Sequence, residues 1–168
     1  EKGLSETISA CNIILKQGYK IELLIAGEID LGNRSSYTKK EIKDFGKYNY
    51  IKFLGHIRDM HKIYLSSDIV ILPSWREGLS KTLIEASSMK KPIITTNVPG
   101  CRDIIENGIN GLLVPKKDIE ALALAIRFMI SNPKLAKIFG ERSRIRTIKE
   151  FDIKKINKQT IKEYEICT

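Results

Sequence analysis

Asp68-Ile69-Val70-Ile71-Leu72-Pro73-Ser74-Trp75-Arg76-Glu77-Gly78-Leu79-Ser80-Lys81-Thr82-Leu83-Ile84-Glu85 decides how this chain folds. The first five residues read as a buried strand, Pro73 to Arg76 as a turn, and Ser80 as the N-cap of a helix running to about Lys90. Free amides at Leu79, Ser80 and Lys81, together with the positive end of the helix dipole, favour a phosphate there. Glu85 then stands about five residues into the helix, roughly 8 Å along its axis, which is about the separation between a diphosphate and a ribose. One carboxylate, Glu77, precedes the anion site and another, Glu85, lies beyond it. A carboxylate accepts from two hydroxyls at once, which suits a ribose diol or a sugar ring.

Outward from this stretch, strands and helices alternate, which implies a parallel sheet covered on both faces. Strands are predicted at 21–26, 51–54, 69–72, 93–95 and 112–114, with near-continuous apolar character fitting burial on both sides. Helices are predicted at 4–17 (apolar at Leu4, Ile8, Cys11 and Leu15), 37–46, 60–66, 80–90, 119–131 and 134–146, and a last one from Asp152 to about Glu165. Asp118 is the expected N-cap of the 119–131 helix, and Asn132-Pro133 its end. No internal repeat or low-complexity linker divides the chain, so residues 1–168 are expected to form one domain closed by the 152–168 helix.

Composition narrows the function classes. With 168 residues and 42% hydrophobic content, the chain is long enough for a real core and is not disordered. No apolar run approaches the roughly eighteen residues of a membrane span, and no charged-then-apolar leader is present, so a cytoplasmic location is expected. Cys11, Cys101 and Cys167 are odd in number and widely spaced, which indicates neither a disulfide framework nor a zinc site. The net charge is +9, and from Lys134 to Thr168 ten Lys or Arg stand against five Asp or Glu. That excess fits either a solvated helix face, the commoner outcome, or peripheral contact with anionic lipid headgroups, each basic residue adding about 1 kcal/mol near the surface. Nucleic acid is disfavoured, because no aromatic platform is interleaved with the basic residues.

Pro73-Ser74, Glu77, Glu85-Ala86, Lys91-Pro92-Ile93-Ile94-Thr95-Thr96 and Gly108-Ile109-Asn110-Gly111-Leu112-Leu113-Val114-Pro115 follow one known order. The chain resembles, from Glu1 to about Asp152, the C-terminal, donor-binding domain of retaining glycosyltransferases of family 4. Trp75 to Ser80 and Val98-Pro99-Gly100-Cys101-Arg102-Asp103 look most like the branch assembling capsule, lipopolysaccharide or lipid-linked oligosaccharide. The resemblance implies a GT-B enzyme: two Rossmann-like domains, the second holding a nucleotide-sugar donor, with UDP the expected carrier. The first strand of a 3-2-1-4-5-6 sheet and the N-terminal acceptor domain are expected to be lacking. A hexose or N-acetylhexosamine would pass to a saccharide or lipid-linked acceptor.

The same resemblance assigns roles to residues. Glu77 is implied to accept hydrogen bonds from hydroxyls of the transferred sugar, Glu85 from the ribose, and Lys2 is implied to bind the donor phosphates. Gly78, Leu79 and Ser80 would offer amides to the diphosphate or sugar, and Ile57 would lie against the base. Each has a plainer reading: Glu77 as a helix-entry acid, Glu85 as an exposed acid paired with Lys81, and the glycine turn as an ordinary helix entry. The sequence departs from many family members by placing Ser80 where they have glycine and moving Gly to 78. Arg76 and Arg102 could line the donor or acceptor side, whereas His56 and His61 are more often surface residues than metal ligands. No Asp-x-Asp follows a strand, so no metal and no cofactor beyond the donor itself is expected, the leaving diphosphate being offset by amides and basic side chains. The segment from Gly27 to Gly32 lacks the dinucleotide fingerprint. Two alternatives stay open: a remnant that binds nucleotide without transferring sugar, and a nucleotide-sugar epimerase, against which the Glu77 to Glu85 run argues.

Overall fold

Ile93-Ile94-Thr95-Thr96 is buried at all four positions, as expected of a strand with bonded neighbours on each side and helices on both faces. This is β4 of the computed structural model, which describes residues 2–28, 37–155 and 157. The elements in order are α1 (Leu4–Lys16), β1 (Leu23–Ala26), α2 (Lys39–Phe45), β2 (Ile51–Gly55), α3 (Met60–Ser66), β3 (Val70–Leu72), α4 (Lys81–Ser88), β4 (Ile93–Thr96), α5 (Pro99–Arg102), β5 (Leu112–Val114), α6 (Ile119–Ser131) and α7 (Pro133–Glu150). Every strand pairing is parallel, with Leu23 opposite Ile51, Val70 opposite Ile93 and Ile94 opposite Leu112. The parallel α/β arrangement expected from the alternating pattern, and its Rossmann-like character implied by the resemblance, are the ones observed.

The strands form two sheets, β1-β2 and β3-β4-β5, and among the described residues no ladder joins β1 to β3. Leu23, Leu24 and Ile25 of β1 and all three residues of β3 are only half-buried, in contrast to β4. One core nevertheless spans both sheets: Ile8, Cys11 and Ile14 of α1 join Ile94, Val114, Leu122, Ile126 and Met129, with Leu23, Ile25, Phe53 and Ile71 packed against them. A second core, around Leu83, Ile93, Cys101, Ile104 and Ile105, lies under α4 and α5. Leu83 is fully buried, so truncating it to Ala should cost about 2–5 kcal/mol.

Helix boundaries follow local chemistry. Asp118 caps α6 by accepting from the Ala121 amide at 2.8 Å, and Thr38 and Glu41 form a reciprocal capping box on α2. Asn132 ends α6 and Pro133 opens α7 at its first position. Three expectations shift. The buried stripe of α1 runs through Ile14, and Leu15 is only half-buried. α7 continues past Arg146 to Glu150, because Arg146 Nε pairs with Glu150 one turn on at 3.0 Å and Thr147 is buried. Pro99 to Arg102, not anticipated as a helix, makes one short turn with Pro99 at its first position. Residues 153–155 and 157 are helical, and the remainder of the expected 152–168 helix, like Cys167, lies outside the described residues.

Candidate functional site

The turn from β3 into α4 is fixed from three directions. Ser74, fully buried, donates from Oγ to Glu77 Oε1 at 2.7 Å, while Thr96 Oγ1 at the end of β4 donates to the Ser74 carbonyl. Lys2 Nζ lies 2.5 Å from the same Glu77 oxygen. Gly3 makes this approach possible: its φ is 73°, and a Cβ there would fall 2.3 Å from the Pro73 carbonyl oxygen. From behind, Gly100 at the start of α5 supports the turn, since its absent side chain leaves room for the backbone of Glu77 and Gly78. A Cβ on Gly100 would come within 1.3 Å of the Gly78 carbonyl oxygen. The Glu77 side chain, 10% exposed, is therefore aimed by its neighbours before any ligand arrives.

Trp75 carries the remaining constraint on the turn. Its indole nitrogen donates to Glu6 Oε1 at 2.9 Å, and Lys117 Nζ stands 3.9 Å from the ring centroid. Glu6, buried in the first turn of α1, also accepts from Ser5 Oγ at 3.0 Å. Lys117 follows β5 and Trp75 follows β3, so the contact gathers the carboxyl ends of two strands, where ligands bind in open α/β sheets. Sequence reasoning missed Glu6; its only signal is an acid placed inside the stripe Leu4 to Ile8 that otherwise faces the core.

α4 presents an open N-terminus. Ser80 is its N-cap, as expected, but its side chain makes no capping hydrogen bond, and the first ladder bond runs from the Ile84 amide to the Ser80 carbonyl at 3.2 Å. The amides of Ser80, Lys81, Thr82 and Leu83 thus precede the helical ladder, and Gly78 and Leu79 lie before them as exposed turn residues. Leu83, Ala86 and Ser87 form the buried face, which by helical spacing leaves Lys81, Thr82 and Glu85 outward.

Glu85 does not make the pair with Lys81 that its spacing allowed: that contact is not among the ion pairs of the described residues. Instead Tyr64, buried on α3, donates from its phenol to Glu85 Oε2 at 3.1 Å, and the Thr82 carbonyl lies 3.4 Å from the same phenol oxygen. Burial first, then the Glu85 charge and the hydrogen bond to it, push the Tyr64 phenol well above its ordinary value. Ile57 is half-buried in the loop between β2 and α3, and His56 and Arg58 beside it are exposed. Arg76 is exposed, and Arg102 donates to Asn97 Oδ1 at 3.4 Å. Two shallow surface depressions, one bordered by Tyr19, Leu124 and Phe128 and one by Ile109, Arg142 and Ile145, share no residue with this face.

Fold and turn together define a Rossmann-like domain of the GT-B type. The family model for glycosyl transferases group 1 matches residues 1–146. The capsular polysaccharide biosynthesis glycosyltransferase CapM of Staphylococcus aureus is 30% identical over 151 residues, covering 90% of this chain and 39% of that protein. Among solved structures, the C-terminal domain of a glycosyl transferase group 1 family protein (LpcC) from Francisella tularensis aligns with a TM-score of 0.76 at 28% identity, over 90% of this chain and 80% of that one. HepE of Anabaena, in complex with UDP-glucose, aligns with a TM-score of 0.87 at 24% identity, over 98% of this chain and 45% of that one, a likeness of fold. The chain belongs to the glycosyl transferases group 1 family, and it spans about two fifths of the length of the curated relatives it matches.

Proposed function

We propose that this chain is the donor-binding domain of a retaining family 4 glycosyltransferase, which moves a hexose or N-acetylhexosamine from a UDP-sugar to a saccharide or lipid-linked acceptor. The observation carrying this reading is the placement of Glu77 and Glu85 at the two sides of an uncapped helix N-terminus, with Lys2 against Glu77. In the proposal, the diphosphate lies on the amides that open α4, its charge offset by those amides and by Lys2 rather than by a metal. Glu85 takes the ribose diol and Glu77 the sugar hydroxyls. Gly78, Leu79 and Ser80 supply the turn, and Ile57 lies toward the base. The solved UDP-glucose complex of HepE and the capsule role of CapM support the donor and acceptor classes.

The proposal extends to the sheet and to the rest of the enzyme. Among the described residues β1 and β3 each have one bonded neighbour, and their half-buried side chains fit one further parallel strand between them, the first of the 3-2-1-4-5-6 order. A second domain would close over the open face, hold the acceptor and exclude water. Orientation of that kind accounts for roughly 7–11 kcal/mol of barrier in well-positioned reactions. The chain by itself should then bind nucleotide and transfer little or no sugar. A cytoplasmic location, peripheral to the membrane through the basic C-terminal region, belongs to the same reading, and none of the described helices is long and apolar enough to cross a membrane.

The test is sugar transfer with the acceptor domain supplied, separately or fused, followed by mass spectrometry across a panel of nucleotide-sugars and NMR of the product's anomeric carbon. Transfer that requires the added domain and keeps the donor's anomeric configuration supports the reading. Equal transfer without that domain would contradict the two-domain account, and inversion would remove the retaining mechanism.

A further inference from the structure

Glu85 is outward on α4, and an exposed glutamate ordinarily samples several rotamers, each of which must be given up when a ligand binds. Here one oxygen is already held. Tyr64 reaches from its buried position on α3 and donates to Glu85 Oε2 at 3.1 Å, and among the described residues Oε1 takes no hydrogen bond. A carboxylate has about four acceptor positions, so the phenol uses one and leaves enough for both hydroxyls of a diol. The same phenol lies 3.4 Å from the Thr82 carbonyl in the first turn of α4. Its helix is held at the other end by Asp59, which accepts from the His61 amide at 3.1 Å directly after the loop carrying Ile57. Tyr64 therefore joins α3, the helix that follows the loop assigned to the base, to the carboxylate assigned to the ribose.

We propose that Tyr64 is the positioning residue that presets Glu85 for a ribose diol and thereby sets the preference of this site for ribonucleotides over deoxyribonucleotides. The inference rests on the assignment of Glu85 to the ribose given above. The phenol need not touch the nucleotide: it fixes Oε2, so that the free edge of the carboxylate faces the two hydroxyls without reorganisation. Preorganisation of this kind improves affinity by lowering the ordering cost of binding. Its removal should be felt by ligands that use the diol and not by ligands that lack it. A purely structural tyrosine would affect both alike.

The experiment measures, by calorimetry on the chain, the affinities of UDP and of 2′,3′-dideoxy-UDP for the unsubstituted protein, Tyr64→Phe, Glu85→Gln and the double variant. The unsubstituted protein should favour UDP, and Tyr64→Phe should shrink that preference by about 5- to 10-fold, as loss of one hydrogen bond allows. Dideoxy-UDP binding should stay unchanged, which also shows that the variant is folded. In Glu85→Gln background, adding Tyr64→Phe should change little, because the carboxylate it positions is gone. A UDP preference that Tyr64→Phe leaves intact, or an equal loss for both nucleotides, overturns the role of Tyr64 and leaves Glu85 as the ribose ligand. No preference in the unsubstituted protein overturns both. Should Tyr64→Phe fail to fold, tyrosine labelled at Cζ decides the matter in the unsubstituted chain: the Tyr64 signal should shift on saturation with UDP and stay in place with dideoxy-UDP, and the same shift with both would refute the proposal.

Discussion

The Lys2 ammonium and the Glu77 carboxylate meet at 2.5 Å across 75 positions of sequence. Lys2 is 68% exposed and Glu77 only 10%, so the pair contributes little to stability and much to aim. In the proposed reading, the lysine would hold the carboxylate until a donor arrives and then share its charge with the phosphates. The two residues were expected to serve different parts of the donor, and in the structure they touch one another.

Removing Glu77 should therefore separate the two ligands. Glu77→Ala should leave UDP affinity within about a factor of three, since it frees Lys2 for the phosphates, and should weaken a UDP-sugar by roughly 1–3 kcal/mol. Calorimetry with both ligands checks this. Equal losses for UDP and UDP-sugar would show that Glu77 does not read the sugar.

Glu85→Ala should weaken UDP and UDP-sugar alike, by roughly 1–3 kcal/mol, because both carry the ribose proposed as the partner of its carboxylate. The same titrations give the answer. A loss confined to the UDP-sugar would exchange the roles assigned to the two glutamates.

Gly100→Ala tests the support behind the turn. The new Cβ would stand 1.3 Å from the Gly78 carbonyl oxygen, a backbone atom that can retreat only by moving the Glu77 loop. Overpacking of this kind costs about 1–3 kcal/mol or more. The urea midpoint should fall, and any nucleotide binding left should be weaker. An unchanged midpoint and affinity would mean that the loop is free to shift.

Alkaline pH should destabilise the chain before it affects the site. Burial pushes the Cys11 thiol from 9.0 up to about 11. Burial, with Cys11 and Tyr48 nearby, pushes the Tyr50 phenol from 10.0 up to about 12. Both groups are neutral when protonated and release protons more readily in the unfolded chain, so that chain binds fewer protons above pH 9. The stability they contribute is whole below pH 9 and is lost as the pH rises through 11 and 12. Urea midpoints at pH 8, 9.5 and 10.5 should decline, and Cys11→Ala should flatten the first part of the decline. A flat profile in the unsubstituted chain would place these groups in contact with water.

Much of this fold was legible because its strands are short apolar runs and its helices carry caps of known chemistry. Asp118, Asn132-Pro133 and Ser80 all stand at helix ends, Asp118 through a side-chain capping hydrogen bond and Ser80 without one. What escaped detection has no local signal. Pro99 to Arg102 is too short for a period to show, and α7 past Arg146 has charge instead of an apolar stripe, its continuation resting on the Arg146 to Glu150 pair. At the site, the two glutamates and Lys2 were marked by sequence pattern, whereas Tyr64, Glu6 and Gly100 matter through partners 21, 69 and 22 positions away. Such contacts belong to the tertiary fold and leave no trace in spacing.

Whether this face binds a UDP-sugar without a metal is decided by titration calorimetry with UDP-glucose in excess EDTA. Saturable binding to a single site is expected, unchanged by adding magnesium or manganese and weakened about fivefold or more by Glu85→Ala, the equivalent of about 1 kcal/mol or more. Binding that appears only when a divalent cation is restored, or that Glu85→Ala leaves untouched, would contradict it.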